Sequence, residues 1–224
     1  MNILLGVTGS VAAIRTPDLY QSLRQAGHQV KIVATKASLY FFDPAGLDST
    51  DPNYPHRNRE VVILDEDEWL GHDRGERYHR DDPVLHIELR KWADLLLIAP
   101  LDANTLAKLA CGLADNCLTC VWRAWDPARP VLLAPAMNTL MWEHPLTIRH
   151  LHQLAADAGA GDLPKDLSIE DLLDEINQRC PKLHIVPPIS KRLACGDVGI
   201  GAMAELKEIV LAVADSGRRA NSAD

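Results

Sequence analysis

The sequence predicts a single α/β domain, doubly wound, with a mainly parallel sheet and helices on both faces. Short apolar runs alternate with amphipathic helical stretches, the pattern of repeated βαβ units. Several runs pass straight into small or polar residues, and ligands of open α/β sheets bind at such carboxyl ends of strands. Size is the third observation: 224 residues with 47% hydrophobic content supply one well-filled core. The domain is assigned to residues 1–215 and a disordered tail to 216–224. A net charge of -8 argues against nucleic acid or an anionic membrane as the main partner. No apolar run is long enough to span a bilayer, and the first residues do not resemble a signal segment. Five cysteines without a disulfide spacing fit a reducing compartment, so a soluble, cytoplasmic protein is expected.

Asn2–Val7 is the first strand, and Thr8-Gly9-Ser10 turns it into a helix that Gly27 stops. Gln29–Ala34 completes the βαβ unit. The turn GVTGSVAA offers small residues, hydroxyls and backbone amides, which suit a phosphate. It is not G-x-G-x-x-G, so a mononucleotide fits better than a dinucleotide; a plain βα turn accounts for two glycines equally well. Thr35-Lys36-Ala37-Ser38 repeats the small polar pattern at the next strand end. Residues 43–82 are rich in Asp, Arg, Pro and His and read as a surface excursion. It carries one short strand at Val61–Leu64 and an acidic run, Asp65-Glu66-Asp67-Glu68, expected to be a solvated face. His56, His72 and His79 match no metal-binding spacing, and no metal is expected.

Pro83–Trp92 reads as an amphipathic helix carrying His86, a residue type that can act as acid or base. On local pattern alone His86 is a structural histidine at a packing interface. The strand Asp94–Ala99 ends in Pro100-Leu101-Asp102-Ala103-Asn104-Thr105, followed by a helix over Leu106–Gly112. Cys117-Leu118-Thr119-Cys120 is a lone C-x-x-C. It lacks the second pair that zinc wants and, by this reading, the helix amino terminus that a redox motif wants, so buried helix cysteines are expected. Val131–Ala134 runs into Pro135-Ala136-Met137-Asn138, a second Ala-Pro corner expected to face the same pocket as the first. The Asn138 amide suits a polar ligand group, although the local window favours a helix cap. A helix follows over Leu146–Ala155, and residues 161–181 look like an insertion with an added helix at Ile169–Ile176. His184–Val186 reads as the last strand. Residues 188–205, with two basic residues and three glycines around Cys195, suit a clamp that closes over a substrate. A helix over Leu206–Val213 packs back on the sheet.

Five stretches, PAMNTLMW, LACGDVGIGAMAE, GVTGSVAA, HIELRKWAD and APLDANTLAKLACGLADN, resemble the homo-oligomeric flavin-containing cysteine decarboxylase family. The first two are highly specific, and the resemblance covers most of residues 1–205. It implies a flavodoxin-like (Rossmann-like) domain that binds FMN. The implied reaction is decarboxylation of 4'-phosphopantothenoylcysteine to 4'-phosphopantetheine in coenzyme A biosynthesis. Flavin oxidation of the CH2–SH carbon to a thioaldehyde gives the departing carboxylate's electrons an acceptor, and the enethiolate left after CO2 loss is then re-reduced. His86 and Cys195 are implied as catalytic, Cys195 supplying a proton from the clamp. Asn138 is implied to hold the substrate carboxylate, with Met141 packing on the site. The implied FMN contacts are Gly9, Ser10, Val11, Thr35, Ser38, Ala103, Asn104, Thr105 and Ala136. By charge and place, Lys191 and Arg192, with Ala194, are expected at the substrate's phosphate end. Asp102 stands where relatives have serine, and an acid pointing at a flavin phosphate is unfavourable. The resemblance implies a homotrimer, or a dodecamer of trimers, with the pocket between subunits. The alternatives are a peptidyl-cysteine decarboxylase of the same family and a non-catalytic regulatory subunit. With no synthetase segment after residue 224, the activity that supplies the substrate is expected on another chain.

Overall fold

The computed structural model describes residues 1–47, 60–69, 71, 74–192 and 198–221. Its sheet contains β1 (Asn2–Val7), β2 (Gln29–Ala34), β3 (Val62–Leu64), β4 (Leu95–Leu101), β5 (Val131–Pro135) and β6 (Leu183–Ile185), all parallel. The strand order is β3-β2-β1-β4-β5-β6. Without the three-residue β3 the remaining strands follow the flavodoxin-like order; with β3 at the edge they follow the Rossmann order. The helices are α1 (Thr16–Gln25), α2 (Leu85–Trp92), α3 (Ala103–Cys111), α4 (Cys117–Arg123), α5 (Thr139–Trp142), α6 (Pro145–Asp157), α7 (Ile169–Arg179) and α8 (Leu206–Asn221).

Side chains alternate across each strand, so the central strands feed two cores. Ile3, Leu5 and Val7 of β1 pack with Leu19 and Leu23 of α1 and with Ile209 and Val213 of α8. Leu4 belongs to the opposite core, with Leu96 and Ile98 of β4, Leu118 of α4 and Leu151 of α6. Each fully buried Leu or Ile contributes roughly 1.5–3 kcal/mol by leaving water. Gly6 marks where α4 lies closest to the sheet, because a Cβ there would stand 2.6 Å from Leu118 Cδ1.

The expected fold class holds, and several local expectations change. The acidic run is not a solvated face. Residues Asp65–Glu68 form a 3-10 turn in which Glu68 is 5% exposed and Asp67 Oδ2 accepts from the Leu64 amide. Helix α3 starts at Ala103, three residues earlier than its apolar pattern, because Asp102 caps it. The C-x-x-C lies in the first turn of α4, where Cys117 is buried and Cys120 half-buried. Residues 161–181 are the approach to the last parallel strand: Leu172 and Ile176 of α7 are fully buried, and the Asn177 side chain bonds both the amide and the carbonyl of Ile185. β6 is not the last strand. β7 (Ile189–Arg192) and β8 (Val198–Ala202) form an antiparallel hairpin within the stretch read as a clamp. Helix α8 continues to Asn221, through most of the stretch expected to be disordered.

Candidate active site

The chain winds outward from β1 to β2 and β3, and from β4 to β5 and β6, so the loops part above β1 and β4. A crevice at the carboxyl ends of the strands follows from that reversal. Thr8, fully buried at the end of β1, ties the two sides together. Its Oγ1 donates to the Pro100 carbonyl at 2.8 Å and accepts from the Asp102 amide at 2.8 Å. The Leu101 carbonyl in turn accepts from the Ala136 amide at 2.9 Å, which joins the two Ala-Pro corners.

Each corner then starts a helix with a side-chain cap. Asp102 Oδ1 accepts from the Thr105 amide at 2.6 Å, and Asn138 Oδ1 accepts from the Leu140 amide at 2.9 Å. Asp102 Oδ1 thus serves a helix amino terminus, where a carboxylate is favourable, while Asp102 itself lines the crevice with Oδ2 beside Gly9. For Asn138 the cap fixes the amide's orientation, since its oxygen is committed to the loop. The β7–β8 hairpin closes over this corner, with the Met137 amide donating to the Gly201 carbonyl at 2.9 Å. Gly201 has φ 140°, and a Cβ there would collide with the Met137 carbonyl oxygen; one on Gly199 would stand 2.6 Å from Thr139 Oγ1. Only glycine allows that approach.

Between these loops lies a cavity of about 570 Å³, within the usual range of small-molecule sites. Gly9, Ser10, Val11, Ala103, Asn104, Ala136, Asn138, Met141 and Lys191, all singled out from the sequence, line it. Thr35, Ser38 and Thr105 are buried and do not line it. Ser38 Oγ donates to the Thr35 carbonyl, whereas Thr35 Oγ1 is buried with no partner among the described residues. That orphaned hydroxyl, one strand over from the first turn, fits a polar group arriving from a ligand. Ala194 and Cys195 lie outside the described residues, as does the side chain of Arg192.

His86 also does not line the cavity. It stands in the first turn of α2 with Nδ1 2.5 Å from Glu68 Oε1. Sequence reasoning missed two residues of the cleft corner, Arg15 and Glu205. Arg15, which lines the cavity, donates to Glu205 Oε2 at 3.0 Å, and Lys191 donates to Glu205 Oε1 at 3.4 Å. Arg15 first, then Lys191, hold the Glu205 carboxyl below the ordinary range. No local signal joins residues 190 positions apart. A second cavity of about 580 Å³ lies under the amino-terminal ends of β5 and β6, lined in part by Trp122, Trp125 and Lys182. None of the sequence-predicted residues line it, and it is at the wrong end of the sheet for the chemistry.

The model of the flavoprotein family matches residues 1–217. The chain belongs to the flavoprotein family. This flavoprotein is 44% identical over 212 residues to phosphopantothenoylcysteine decarboxylase of Mus musculus, a match covering 94% of this chain and 84% of that one. Among solved structures it is similar to a Cys-to-Ser mutant of PPC decarboxylase complexed with pantothenoylaminoethenethiol. That similarity has a TM-score of 0.72 and 44% identity, with 95% and 96% of the two chains covered. It is likewise similar to the FMN binding protein AtHal3, with a TM-score of 0.69, 44% identity and 95% and 94% coverage. The flavoprotein's cleft carries the small residues Gly9, Ser10 and Ala103 and the amide residues Asn104 and Asn138 in its lining.

Proposed function

We propose that this chain catalyses the FMN-dependent decarboxylation of 4'-phosphopantothenoylcysteine to 4'-phosphopantetheine in coenzyme A biosynthesis. The observation that carries the reading is the cleft at the β1–β4 divergence, built by both Ala-Pro corners in a flavoprotein that is 44% identical to a decarboxylase of that substrate. When bound, FMN would supply the two-electron redox couple that the carbon next to sulfur needs. The backbone amides and small side chains of Gly9, Ser10 and Val11, with Ala103, Asn104 and Ala136, hold the flavin. Thr35, with Ser38 and Thr105 behind the same loops, completes the polar cradle.

Asn138 donates its amide hydrogens to the substrate carboxylate and orients the bond to be broken. Met141 covers the site from water. His86 takes the thiol proton, and Cys195 returns a proton to carbon from the hairpin clamp. Lys191 and Arg192, beside Ala194, attract the phosphate end, with Arg15 adding a second cation on the cleft wall.

The assembly is a homotrimer, or a dodecamer of trimers, with the pocket between subunits. Two features support this reading: His86 is absent from the lining within one chain, and Ile14 and Met141, which line the cleft, are 65% and 49% exposed. The same reading puts the protein in the cytoplasm, in keeping with free thiols at Cys111, Cys117, Cys120 and Cys180. The test is an absorption spectrum of the purified protein with FMN, coupled to CO2 release from 4'-phosphopantothenoylcysteine. A flavin spectrum with stoichiometric CO2 is expected. Turnover of a Cys-ended peptide instead of this substrate, or FMN binding with no turnover of either, overturns the assignment.

A further inference from the structure

We propose that Glu68 is a positioning residue for His86, selecting its tautomer and balancing the charge that it takes up during catalysis. The inference rests on the reading of His86 as a proton acceptor. Glu68 ends the 3-10 turn after β3, and its side chain is 3% exposed. A carboxylate removed from water at that depth is strongly unfavourable unless it is paired. Its Oε1 meets His86 Nδ1 at 2.5 Å; no N–H or O–H group among the described residues donates to Oε2, and the Cys117 thiol, a weak donor, is the carboxylate's other hydrogen-bonding neighbour. His86 is therefore the neighbour that can carry a compensating charge. With Nδ1–H donated to Glu68, Nε2 is the ring atom left with a lone pair, and a proton arriving there makes an imidazolium already facing an anion.

The turn is itself braced, which makes the pair a fixed device. Asp65 accepts from the Lys36 amide at the end of β2 and from the Cys117 amide at the start of α4, both at 3.3 Å. Around the pair stand Asp65 on the same turn and Cys117 and Cys120 on α4, with Asp115 facing Cys120. Burial first, and then Glu68, push the Cys117 thiol up, and Cys120 is pushed up likewise. Both cysteines stay neutral thiols, so the C-x-x-C contributes no competing anion. Burial raises Asp65 against the pull of its two backbone donors.

The experiment compares Glu68→Gln, His86→Asn and the double variant in FMN-loaded protein, together with 15N NMR of the imidazole of His86. Glu68→Gln is expected to lower kcat about 10- to 100-fold, a part of the roughly 10²–10⁴ that acid–base catalysis contributes. KM and FMN affinity stay within about twofold, and the double variant is no slower than His86→Asn. In the wild type, Nδ1 is protonated and Nε2 is not. A Glu68→Gln enzyme with unchanged kcat overturns the positioning role, even when His86→Asn is inactive. Full activity in His86→Asn instead overturns the role of His86. If Glu68→Gln does not fold, the wild-type spectrum decides, and an unprotonated Nδ1 in it overturns the proposal.

Discussion

Asn138→Asp separates the structural duty of this side chain from its chemical one. Asn138 Oδ1 accepts from the Leu140 amide at 2.9 Å, and an Asp Oδ1 accepts equally well there. Asn and Asp are near-equal helix caps, so the melting temperature and FMN affinity should hold. The change removes the two amide donors and adds a negative charge in the cleft that receives the substrate carboxylate. Two like charges about 4 Å apart at an effective dielectric near 20 repel by about 4 kcal/mol. At about 1.4 kcal/mol per factor of ten, kcat/KM should fall roughly a thousandfold. The assay is CO2 release against substrate concentration, with flavin fluorescence and thermal unfolding measured on the same preparation. Activity within about tenfold of the wild type would refute the carboxylate-anchor role, given a retained fold. Asn138→Ala is the control that also loses the cap, and it should cost about 0.5–2 kcal/mol of stability.

The loops around the cleft give three further expectations. Thr8→Val leaves the Pro100 carbonyl and the Asp102 amide without their shared hydroxyl. It should cost about 1–3 kcal/mol and weaken FMN binding, both readable by thermal unfolding and fluorescence titration; an unchanged melting temperature counts against the hub role. Gly201→Ala forces a Cβ onto the Met137 carbonyl, so the hairpin should lift from the Asn138 corner and its amides should lose protection from hydrogen exchange. Unaltered exchange in that variant contradicts the docking. Glu205 has a folded pKa below its ordinary value of 4.5, so its contribution is complete above about pH 4.5 and is lost as pH falls through the lower folded value. Thermal unfolding between pH 3 and 6 should show an acid-sensitive increment that Glu205→Gln abolishes, and identical curves for the two proteins argue against the bridge.

The parallel sheet was legible because strands buried on both faces need continuous apolar runs, as in β1, β4 and β5. The cleft was legible for a related reason: Gly9, Ala103 and Ala136 sit next to those runs, where the sheet order must place them together. The β7–β8 hairpin was not. Its three glycines read as flexibility, yet Gly199 and Gly201 are there because Thr139 and Met137 approach too closely for any side chain. Nor could the acidic run be read, since four consecutive carboxyls look alike in sequence. Burial divides them: Glu66 faces solvent, Asp67 closes the turn, Asp65 braces two elements and Glu68 turns inward to His86.

Locally, cap and ligand anchor were competing accounts of Asn138; the structure shows the cap, and under the proposed function the two roles are compatible. An amide that binds a carboxylate must present its nitrogen in a fixed direction before the substrate arrives, or else lose binding energy to ordering it. Capping α5 contributes to that, because the Leu140 amide holds the oxygen and with it the plane of the whole amide group. Asp102 is the cap at the other corner. There the cap engages one carboxylate oxygen, Oδ1, at the start of α3, while Oδ2 stays on the cleft side beside Gly9. The two Ala-Pro corners thus use one device, a side-chain cap, with an amide at one and a carboxylate at the other. Exchanging them, with Asp at 138 and Asn at 102, should therefore preserve both caps and the fold while abolishing turnover.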